Sequence, residues 1–542
     1  MTTSIPSHVD ALVVGAGFSG MYQLHRLRQL GLDVHAIEGG DGVGGVWYWN
    51  RYPGARCDVP SLSYSYSFSP ELDQDWNWTE KYATQPEILR YLEHVADRFD
   101  LRKDMTFGTW VTDMDFDEGT ARWTVRTDDG ATVSARFVVM ASGVLTKWKQ
   151  PEVPGIDDFG GETHHTARWP HEGVDFTGKR VAVIGTGSTG IQLIPLLAEQ
   201  AQQLTVFQRT ANFVLPAWNR ALDTNEITEV KAEYPAWREL QRSSRSGIPS
   251  TPPTDSTFDV HPNLRRERFE AGWNSGSVLG VITAFNDILA DARANEVACD
   301  FIRTKIRSIV TDAQTAEDLC PAGYAYGTKR PALGTNYYET YNRDNVMLVN
   351  LRRTPMEALT ASGVRTTEAE YEFDAIVFAT GFDALTGALT QIDIRGRGGR
   401  LLRDKWANGP QVLLGLMSAD FPNLFMVTGP TGPASFSNNV VVIEHDVEWI
   451  TDCIGYLCAN DIRTFEPKPD AESSWVRRVT DIVNGTLFEN SESWYTGANV
   501  AGKARVLQAY LGGFDKYSAL CAEASSNDYQ SFDATAAVVA TA

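Results

Sequence analysis

Two glycine-rich segments of the sequence have the spacing of dinucleotide-binding turns. The first contains Gly15, Gly17 and Gly20, between a short apolar run and a predicted amphipathic helix. In such a turn the first glycine permits a tight bend, the second lets the backbone approach a pyrophosphate, and the third lets the helix pack on the strand. The next predicted strand ends at Glu38, about 20 residues further on, where a carboxylate can accept a hydrogen bond from a ribose hydroxyl.

The same unit recurs in the middle of the chain, at Gly185, Gly187 and Gly190. The position that corresponds to the acid of the first unit is Gln208, and Arg209 follows it. A carboxylate there would repel a 2′-phosphate, whereas a guanidinium can bind one through two hydrogen bonds. The second turn is therefore predicted to bind NADPH rather than NADH, the alternative for Arg209 being a solvated charge at a strand end.

One acidic and one basic dinucleotide turn in a single chain favour FAD at the first and NADPH at the second, because hydride transfer from a nicotinamide to a flavin requires both. Two further apolar runs end in small residues, at 137–143 and 375–381. These are predicted to be the strands that close the two nucleotide-binding domains, although each taken alone is equally typical of a buried strand.

Composition narrows the class of protein. Apolar residues make up 43% of the 542 residues and charged residues 22%, as in ordinary folded proteins. The net charge of -21 argues against a nucleic-acid partner and an anionic membrane surface. Six scattered cysteines without a CxxC pair, and histidines without metal-ligand spacing, predict no metal site and a reducing, cytoplasmic location. Neither a signal peptide nor a membrane span is expected.

The predicted fold class is α/β, with two Rossmann-like domains and a helical insertion in the second. Helical spacing at 226–242 and 264–309 suggests the insertion, and the Ser/Pro-rich stretch 243–262 between them is predicted to be a mobile loop. The small residues 533–542 are predicted to be frayed. The predicted domains are FAD-binding (1–146), NADP-binding (147–220), helical insertion (221–334), NADP-binding again (335–382) and FAD-binding with a C-terminal loop (383–542).

A twelve-residue pattern before the second glycine turn resembles the fingerprint of type I Baeyer–Villiger monooxygenases. All five fixed positions match, namely Phe159, Gly161, His165, Trp169 and Pro170. Segment 44–58 resembles the family's flavin-packing segment, 327–330 followed by 337–345 its catalytic-arginine segment, and 493–499 its C-terminal loop. The resemblance thus covers essentially the whole chain. Within the family, the sequence resembles the phenylacetone and steroid monooxygenase branch.

The resemblance implies an FAD- and NADPH-dependent enzyme that inserts one oxygen atom from O2 beside a ketone carbonyl, giving an ester or lactone. In that reaction a C4a-peroxyflavin attacks the carbonyl and a tetrahedral adduct forms, so a fixed positive charge is needed. The family match assigns that charge to Arg330 and its orienting partner to Asp58. By residue type alone, Arg330 would be an ordinary surface arginine.

The resemblance also assigns binding roles. The predicted FAD-binding residues are Gly15, Gly17, Phe18, Ser19, Gly20, Glu38, Gly45, Trp47, Trp49, Asp58 and Tyr64. The predicted NADP-binding residues are Gly185, Thr186, Gly187, Ser188, Thr189, Gly190, Gln192, Arg209, Thr210, Lys329, Arg330 and Trp494. A plain core tryptophan is the alternative for Trp494. His165 is expected to couple the linker between domains to the bound nucleotide rather than act as a general base.

Ala434, Ser435 and Phe436 resemble the family's substrate-lining loop, with aryl, linear or large cyclic ketones all left open. Sulfide oxidation is expected as a side activity, and the protein as a monomer or weak homo-oligomer. Three alternatives remain: a flavin monooxygenase acting on amine nitrogen or thioether sulfur, an NADPH-sensing flavoprotein without catalysis, and an NADPH oxidase that releases hydrogen peroxide. The fingerprint ending Trp169-Pro170 and the Arg330–Asp58 combination favour carbonyl chemistry.

Overall fold

A computed structural model describes residues 5–489 and 491–536. Its strands, in chain order, are β1 (His8–Val14), β2 (Val34–Ile37), β3 (Met105–Thr106), β4 (Val111–Asp117), β5 (Arg122–Thr127), β6 (Thr132–Met140), β7 (Glu162–His165), β8 (Arg180–Ile184), β9 (Gln203–Gln208), β10 (Val214–Pro216), β11 (Ala332–Gly334), β12 (Val346–Asn350), β13 (Met356–Thr360), β14 (Gly363–Thr366), β15 (Glu370–Glu372), β16 (Ala375–Phe378), β17 (Asp393–Arg395), β18 (Leu424–Met426), β19 (Ile462–Pro467) and β20 (Phe532–Ala536).

The helices, in chain order, are α1 (Phe18–Gln29), α2 (Val46–Trp49), α3 (Pro70–Asp75), α4 (Gln85–Arg98), α5 (Ser188–Gln200), α6 (Thr224–Ala232), α7 (Tyr234–Ser243), α8 (Pro262–Asn274), α9 (Ala292–Ile309), α10 (Ala313–Leu319), α11 (Tyr337–Thr340), α12 (Gly387–Thr390), α13 (Leu402–Lys405), α14 (Asn439–Ala459), α15 (Pro469–Asp481) and α16 (Phe514–Ser526). The two glycine turns thus lead directly into α1 and α5, as the motif predicts.

The first sheet combines strands from both ends of the chain. Its order is β17-β4-β5-β6-β1-β2-β3, with β18 paired to β6. Strand β1 runs parallel to β2 and to β6, with Ala11 opposite Val34 on one side and Phe137 on the other. Helices α1, α4 and α14 contribute to the apolar core on one face. The predicted strand at 137–143 is therefore the end of β6, next to the glycine turn.

The second sheet has the order β12-β9-β8-β16-β7, and every pairing in it is parallel. The predicted strand at 375–381 is β16, which lies beside β8 just as β6 lies beside β1. Helix α5 and much of the insertion pack on one face of this sheet. The predicted α/β class is thus confirmed. The second sheet is wholly parallel, whereas the first is mixed, because β5 runs antiparallel to β4 and to β6.

The helices of the insertion pack against two different hydrophobic cores. Tyr234 of α7 is buried in the core of the first sheet, and Arg238 on the same helix pairs with Asp73 at 2.6 Å. In contrast, α8 and α9 pack with the second core through Phe269 and Ile302. Segment 244–261 connects these halves without a helix or strand, and turns at 275–291 interrupt the helical run predicted for 264–309.

The prediction of a frayed C-terminus is wrong for residues 533–536. They belong to β20, which pairs antiparallel with β19, Glu466 lying opposite Asp533. Phe532 anchors the strand, because its ring stacks on Phe465 with a centroid separation of 4.6 Å. The small side chains that suggested fraying are exposed on an edge strand whose order comes from this pairing. Residues 537–542 lie outside the described part of the chain.

Candidate functional site

The first glycine turn forms a narrow backbone cradle. Gly15 has a φ of +111°, and a Cβ there would lie 2.5 Å from the carbonyl oxygen of Ala141 at the end of β6. A Cβ on Gly20 would lie 1.8 Å from the carbonyl oxygen of Gly15. A Cβ on Gly45 would come within 2.9 Å of the Gly17 Cα, so two loops meet backbone to backbone. Such an approach suits a pyrophosphate at the start of α1.

Glu38 lies at the end of β2 with only 6% of its surface exposed. Its carboxylate accepts hydrogen bonds from the backbone N–H of Ala16 at 2.7 Å and of Gly40 at 2.8 Å. Burial raises the pKa of this carboxyl, and the two N–H donors oppose the shift. Each oxygen retains lone-pair capacity for a hydroxyl donor. The orientation of Glu38 is therefore fixed by the same turn that forms the cradle.

The aromatic residues predicted near the flavin form a buried wall. The indole N–H of Trp47 donates to the Tyr64 hydroxyl at 3.2 Å, and Tyr64 contacts Phe18 edge-on at 5.3 Å between centroids. Phe18 and Ser19, both buried, begin α1. The guanidinium of Arg168 lies 4.4 Å from the ring centroid of Trp49, whose side chain also hydrogen-bonds Glu38 and so opposes the rise in the Glu38 pKa.

The second glycine turn repeats the geometry of the first. Gly185 has a φ of +114°, and a Cβ there would lie 2.5 Å from the carbonyl oxygen of Ala379. A Cβ on Gly190 would lie 2.2 Å from the Gly185 oxygen, whereas one on Gly187 would meet no atom within 4 Å. Open space thus lies over the start of α5, the position of Ser188 and Thr189, where backbone N–H groups favour an anion. Thr186 supports the turn through a hydrogen bond to Thr210.

Positive side chains gather at the end of β9. Burial and then the charges of Arg209 and Arg352 lower the pKa of Lys329, whose Nζ lies 4.3 Å from the ring centroid of Tyr324. Arg352 donates to the Thr210 hydroxyl at 3.4 Å. Mutual repulsion of this kind is relieved by a bound anion, so the cluster fits a phosphate group. Sequence reasoning missed Arg352, because only the fold brings it to this place.

Gln192, a predicted NADP-binding residue, has partners within the protein that the sequence did not reveal. Its Oε1 accepts from the Tyr52 hydroxyl at 2.8 Å, and its Nε2 donates to the carbonyl oxygen of Arg56 at 3.0 Å. A Cβ on Gly54 would lie 2.4 Å from the Gln192 carbonyl oxygen. Gln192 therefore joins α5 to segment 52–56, and one amide hydrogen is left for a nucleotide.

Arg330 and Asp58 form a two-pronged ion pair. The Nε and Nη2 atoms of Arg330 donate to the two carboxylate oxygens at 2.7 and 2.8 Å, and Nη1 donates to the Ser435 carbonyl oxygen at 3.3 Å. Burial alone lowers the pKa of the guanidinium, but the Asp58 charge and hydrogen bonds raise it well above its usual value. Arg330 consequently remains a permanent cation with a fixed plane.

Tyr495 is a neighbour of this pair that the predicted set omits. Burial raises its pKa to about 12, and the Arg330 charge opposes the shift, so the phenol is neutral near pH 7. Its ring lies 4.5 Å from that of Phe436 and 4.0 Å from that of Trp494, between centroids. Tyr495 thus links the substrate-loop candidate to the C-terminal segment. Its place directly after Trp494 was the available signal.

The substrate-loop candidates Ala434, Ser435 and Phe436 form a short 3-10 helix before α14. Ser435 offers its carbonyl oxygen to Arg330, while its own buried hydroxyl has no hydrogen-bond partner within the described residues. Phe436 also contacts Phe488 edge-on at 5.6 Å. The loop therefore lies beside the ion pair, with one unpaired polar atom and one large ring.

The fingerprint residues lie at the edge of the second sheet. The ring of His165 accepts a hydrogen bond from the Ala167 N–H at 3.1 Å and bonds the Thr380 hydroxyl at 3.0 Å. Burial lowers the pKa of His165 to about 4, so the ring is neutral at pH 7. The other four residues support the same edge: Phe159 and Trp169 are buried, Pro170 is half-buried, and a Cβ on Gly161 would lie 2.6 Å from the Asp374 carbonyl oxygen.

Within the described residues, neither a cluster of His, Cys, Asp and Glu suited to a metal ion nor a helix long and apolar enough to cross a membrane is found. The fold and site define a protein with two dinucleotide cradles and a partly buried arginine–carboxylate pair. That combination is typical of a nicotinamide-dependent flavoprotein oxidoreductase.

Comparison with known proteins identifies the family. The family described as flavin-binding monooxygenase-like matches residues 9–230. A Baeyer-Villiger monooxygenase of Pseudooceanicola batsensis is 43% identical over 95% of this chain and 94% of its own length. A phenazine N-monooxygenase of Lysobacter antibioticus is 42% identical over 97% of both. Oxidized steroid monooxygenase bound to NADP superposes with a TM-score of 0.94, at 51% identity over 98% of this chain and 100% of that one.

The chain belongs to the type I Baeyer–Villiger monooxygenase family. It is an FAD- and NADPH-dependent oxidoreductase that catalyses Baeyer–Villiger oxidation. The predicted family, enzyme class and cofactors are therefore confirmed, while the roles of individual residues remain predictions.

Proposed function

We propose that oxygen insertion beside a ketone carbonyl takes place next to Arg330, giving an ester or a lactone. The two-pronged contact with Asp58 is the observation that carries this proposal, because it turns Nη1 of a permanently charged arginine toward the substrate loop. One Nη1 hydrogen bonds the Ser435 carbonyl oxygen, and Nη1 carries a second N–H that can face a substrate oxygen. Bound FAD and NADPH, together with O2, supply the activated oxygen.

In this proposal Arg330 stabilises the negative charge that develops on the carbonyl oxygen. A fixed cation in a buried site does this without reorganisation, and an arginine cannot lose its proton there. Asp58 acts as a positioning residue that holds the guanidinium plane. Tyr495 is an additional neutral hydrogen-bond donor near the same charge.

The two cradles would hold the two cofactors. We assign FAD to the first turn, with Glu38 at its ribose and Trp47 and Tyr64 along its ring system. NADPH is assigned to the second turn, with Ser188 and Thr189 at the pyrophosphate. Arg209, Thr210 and Lys329 would bind the 2′-phosphate, and Trp494 the nicotinamide end. With the predicted domain limits at 147, 221, 335 and 383, Lys329 would come from the insertion and Trp494 from the second FAD-binding part, so the NADPH site would draw on three segments of the chain.

His165 is proposed as a coupling residue between the second sheet and the linker. Thr380, its hydrogen-bond partner, also donates to the Lys149 carbonyl oxygen at 3.2 Å. The Lys149 ammonium in turn donates to the Asn499 carbonyl oxygen in the C-terminal segment. A movement of the linker at Lys149 would thus be transmitted to Asn499, which lies five residues after Trp494 in the C-terminal segment.

Ala434, Ser435 and Phe436 are proposed to line the ketone site, with sulfides as secondary substrates. A second candidate function, oxygenation of an aromatic nitrogen, is favoured by the phenazine N-monooxygenase relative. The Arg330–Asp58 pair supports ketones as the main class, since an amine or sulfide nucleophile needs no stabilised carbonyl adduct. A cytoplasmic location is proposed, supported by six free thiols. The protein is proposed to be a monomer or a weak homo-oligomer.

The direct test is product analysis with NADPH and isotopically heavy dioxygen. Phenylacetone, a cyclohexanone, a long linear ketone, a steroid ketone, a thioether and phenazine form the panel. One heavy atom in an ester or lactone is the expected result. A heavy N-oxide or sulfoxide without any ester would replace the ketone proposal by the heteroatom one, and peroxide alone would favour an oxidase.

A further inference from the structure

We propose that the preferred ketone of this enzyme carries a hydroxyl group, and that the Ser435 side chain recognises this hydroxyl beside Arg330. The inference rests on the proposed ketone site at Arg330 and deepens it, because it names a substrate class and a specificity-determining residue. The observation behind it is a buried serine hydroxyl that no group in the described part of the chain bonds.

Unpartnered polar atoms gather in the short segment 435–439. The hydroxyl oxygens of Ser435 and Ser437 and the side-chain oxygen of Asn439 are buried, and none has a hydrogen-bond partner among the residues that the structure describes. Only 8% of each of the two serines is exposed, so bulk water does not replace the missing partners. Nearly all buried polar groups in folded proteins are hydrogen-bonded. A bound molecule is therefore the expected partner of this segment.

The Ser435 hydroxyl lies close to the cation that faces the ketone carbonyl in the proposed site. The Arg330 Nη1 donates to the Ser435 carbonyl oxygen at 3.3 Å. Within one serine residue the carbonyl and hydroxyl oxygens are at most about 5 Å apart, so Oγ lies within about 8 Å of Nη1. A hydrogen bond of about 2.8 Å at each end leaves room for two substrate oxygens joined by a few carbon atoms. One small molecule can therefore reach both groups.

The other neighbours of this segment are aromatic and apolar. The ring of Phe436 lies 4.5 Å from that of Tyr495 and 5.6 Å from that of Phe488, between centroids. Val483 is buried in the same apolar cluster. A ligand that contacts both surfaces needs a carbon skeleton for the rings and a polar group for Ser435, as is usual in small-molecule sites.

The unpartnered atoms also indicate which polar group the ligand carries. A serine hydroxyl can donate or accept a hydrogen bond, whereas the amide oxygen of Asn439 only accepts. A second carbonyl in the ligand could accept from Ser435 but would gain nothing from Asn439, which begins α14. A hydroxyl can accept from the one and donate to the other. The arrangement thus favours a hydroxyketone over a diketone.

The test compares matched ketones in the FAD-loaded enzyme with NADPH and O2. The probes are 3- and 4-hydroxycyclohexanone, each paired with the cyclohexanone that has a methyl group in place of the hydroxyl. Ser435→Ala should lower the kcat/KM for at least one hydroxyketone by about fivefold and leave its methyl counterpart within about twofold, because only the former loses a hydrogen bond.

Ser246→Ala is the matched control. Ser246 is buried and its carbonyl oxygen accepts from the Asn438 N–H at 2.7 Å, so it contacts the same loop. Its hydroxyl, however, already donates to the Ile248 carbonyl oxygen at 3.3 Å. The ratio of hydroxyketone to methyl ketone should therefore stay at the wild-type value in this variant.

The results separate this inference from the proposed function. If Ser435→Ala changes the hydroxy and methyl compounds equally, the recognition of a hydroxyl is wrong while the ketone site stands. If Ser435→Ala shifts the flavin absorption spectrum and leaves the ratio unchanged, the hydroxyl serves the flavin and the inference is overturned. Arg330→Ala is measured in parallel with the methyl ketones. Lactone formation at the wild-type rate in that variant would show that the carbonyl reacts elsewhere, so the proposed site itself would be wrong.

Discussion

Arg330 and Asp58 are 272 residues apart in the chain, yet both nitrogen atoms on one edge of the guanidinium bond the two carboxylate oxygens. The contact fixes the plane of Arg330 and directs its remaining nitrogen toward the Ser435 carbonyl oxygen. The relationship joins the segment after the first glycine cradle to the last residues of the predicted insertion, 221–334. Residues before and after the second glycine turn therefore meet at the Arg330 guanidinium.

Replacing Asp58 by Ala should lower the ester-forming kcat by about ten- to a hundredfold, with little change in the KM for NADPH, because Arg330 keeps its charge but loses its orientation. Steady-state kinetics with a ketone that gives an ester measures this. Glu80→Gln is the control, since Glu80 forms a pair with Arg56 at 2.9 Å that is partly buried to a similar extent. A wild-type kcat in Asp58→Ala would remove the positioning role.

Replacing Arg209 by Ala should raise the KM for NADPH by about tenfold and leave that for NADH almost unchanged. The reason is that the lost guanidinium meets only the phosphate that NADH lacks. The ratio of kcat/KM for the two cofactors is the measurement. An unchanged ratio would exclude Arg209 from the 2′-phosphate site.

Burial of His165 predicts that stability falls on acidification. Its pKa is about 4 in the folded chain and 6.5 when unperturbed, so between these values the unfolded chain binds a proton that the folded chain does not. The contribution of neutral His165 to the free energy of unfolding is therefore lost as the pH falls from 6.5 toward 4. Below pH 4 this contribution does not change further. The Tm of His165→Gln should fall less than that of the wild type between about pH 7 and pH 5. Equal falls would contradict the assignment.

Asp446 should be a strong determinant of stability. Its buried carboxylate accepts from the backbone N–H of Thr428 at 2.9 Å and from the Tyr517 hydroxyl at 2.8 Å. Thr428 has a φ of +53°, unfavourable for a β-branched residue, so this bond holds a strained turn. Asp446→Ala should cost about 3 kcal/mol in the free energy of unfolding.

Denaturant unfolding of the holoenzyme measures that change. Asp452→Ala, on the same helix and with its side chain 75% exposed, should change stability by less than about 0.5 kcal/mol. Equal effects of the two substitutions would show that the Asp446 contacts contribute no more than an ordinary surface residue.

The parts of the molecule that depend on local sequence were predictable. A glycine turn between strand and helix requires particular residues at particular spacing, so both cradles follow from the residues themselves. Tertiary neighbours were not predictable in the same way. The pairing of Gln192 with segment 52–56, the approach of Arg352 to Thr210, and the division of the insertion at 244–261 depend on how distant elements pack. Strand β20 was missed because pairing with β19 outweighs its weak local preference.

The most direct test of the catalytic assignment is Arg330→Ala in the FAD-loaded enzyme, with Arg56→Ala as the control. NADPH should still bleach the flavin without oxygen, because the cradles are intact, while ester formation with O2 and the best ketone should fall by at least about a hundredfold. Ester formation at a rate close to that of the wild type would contradict the central role of Arg330.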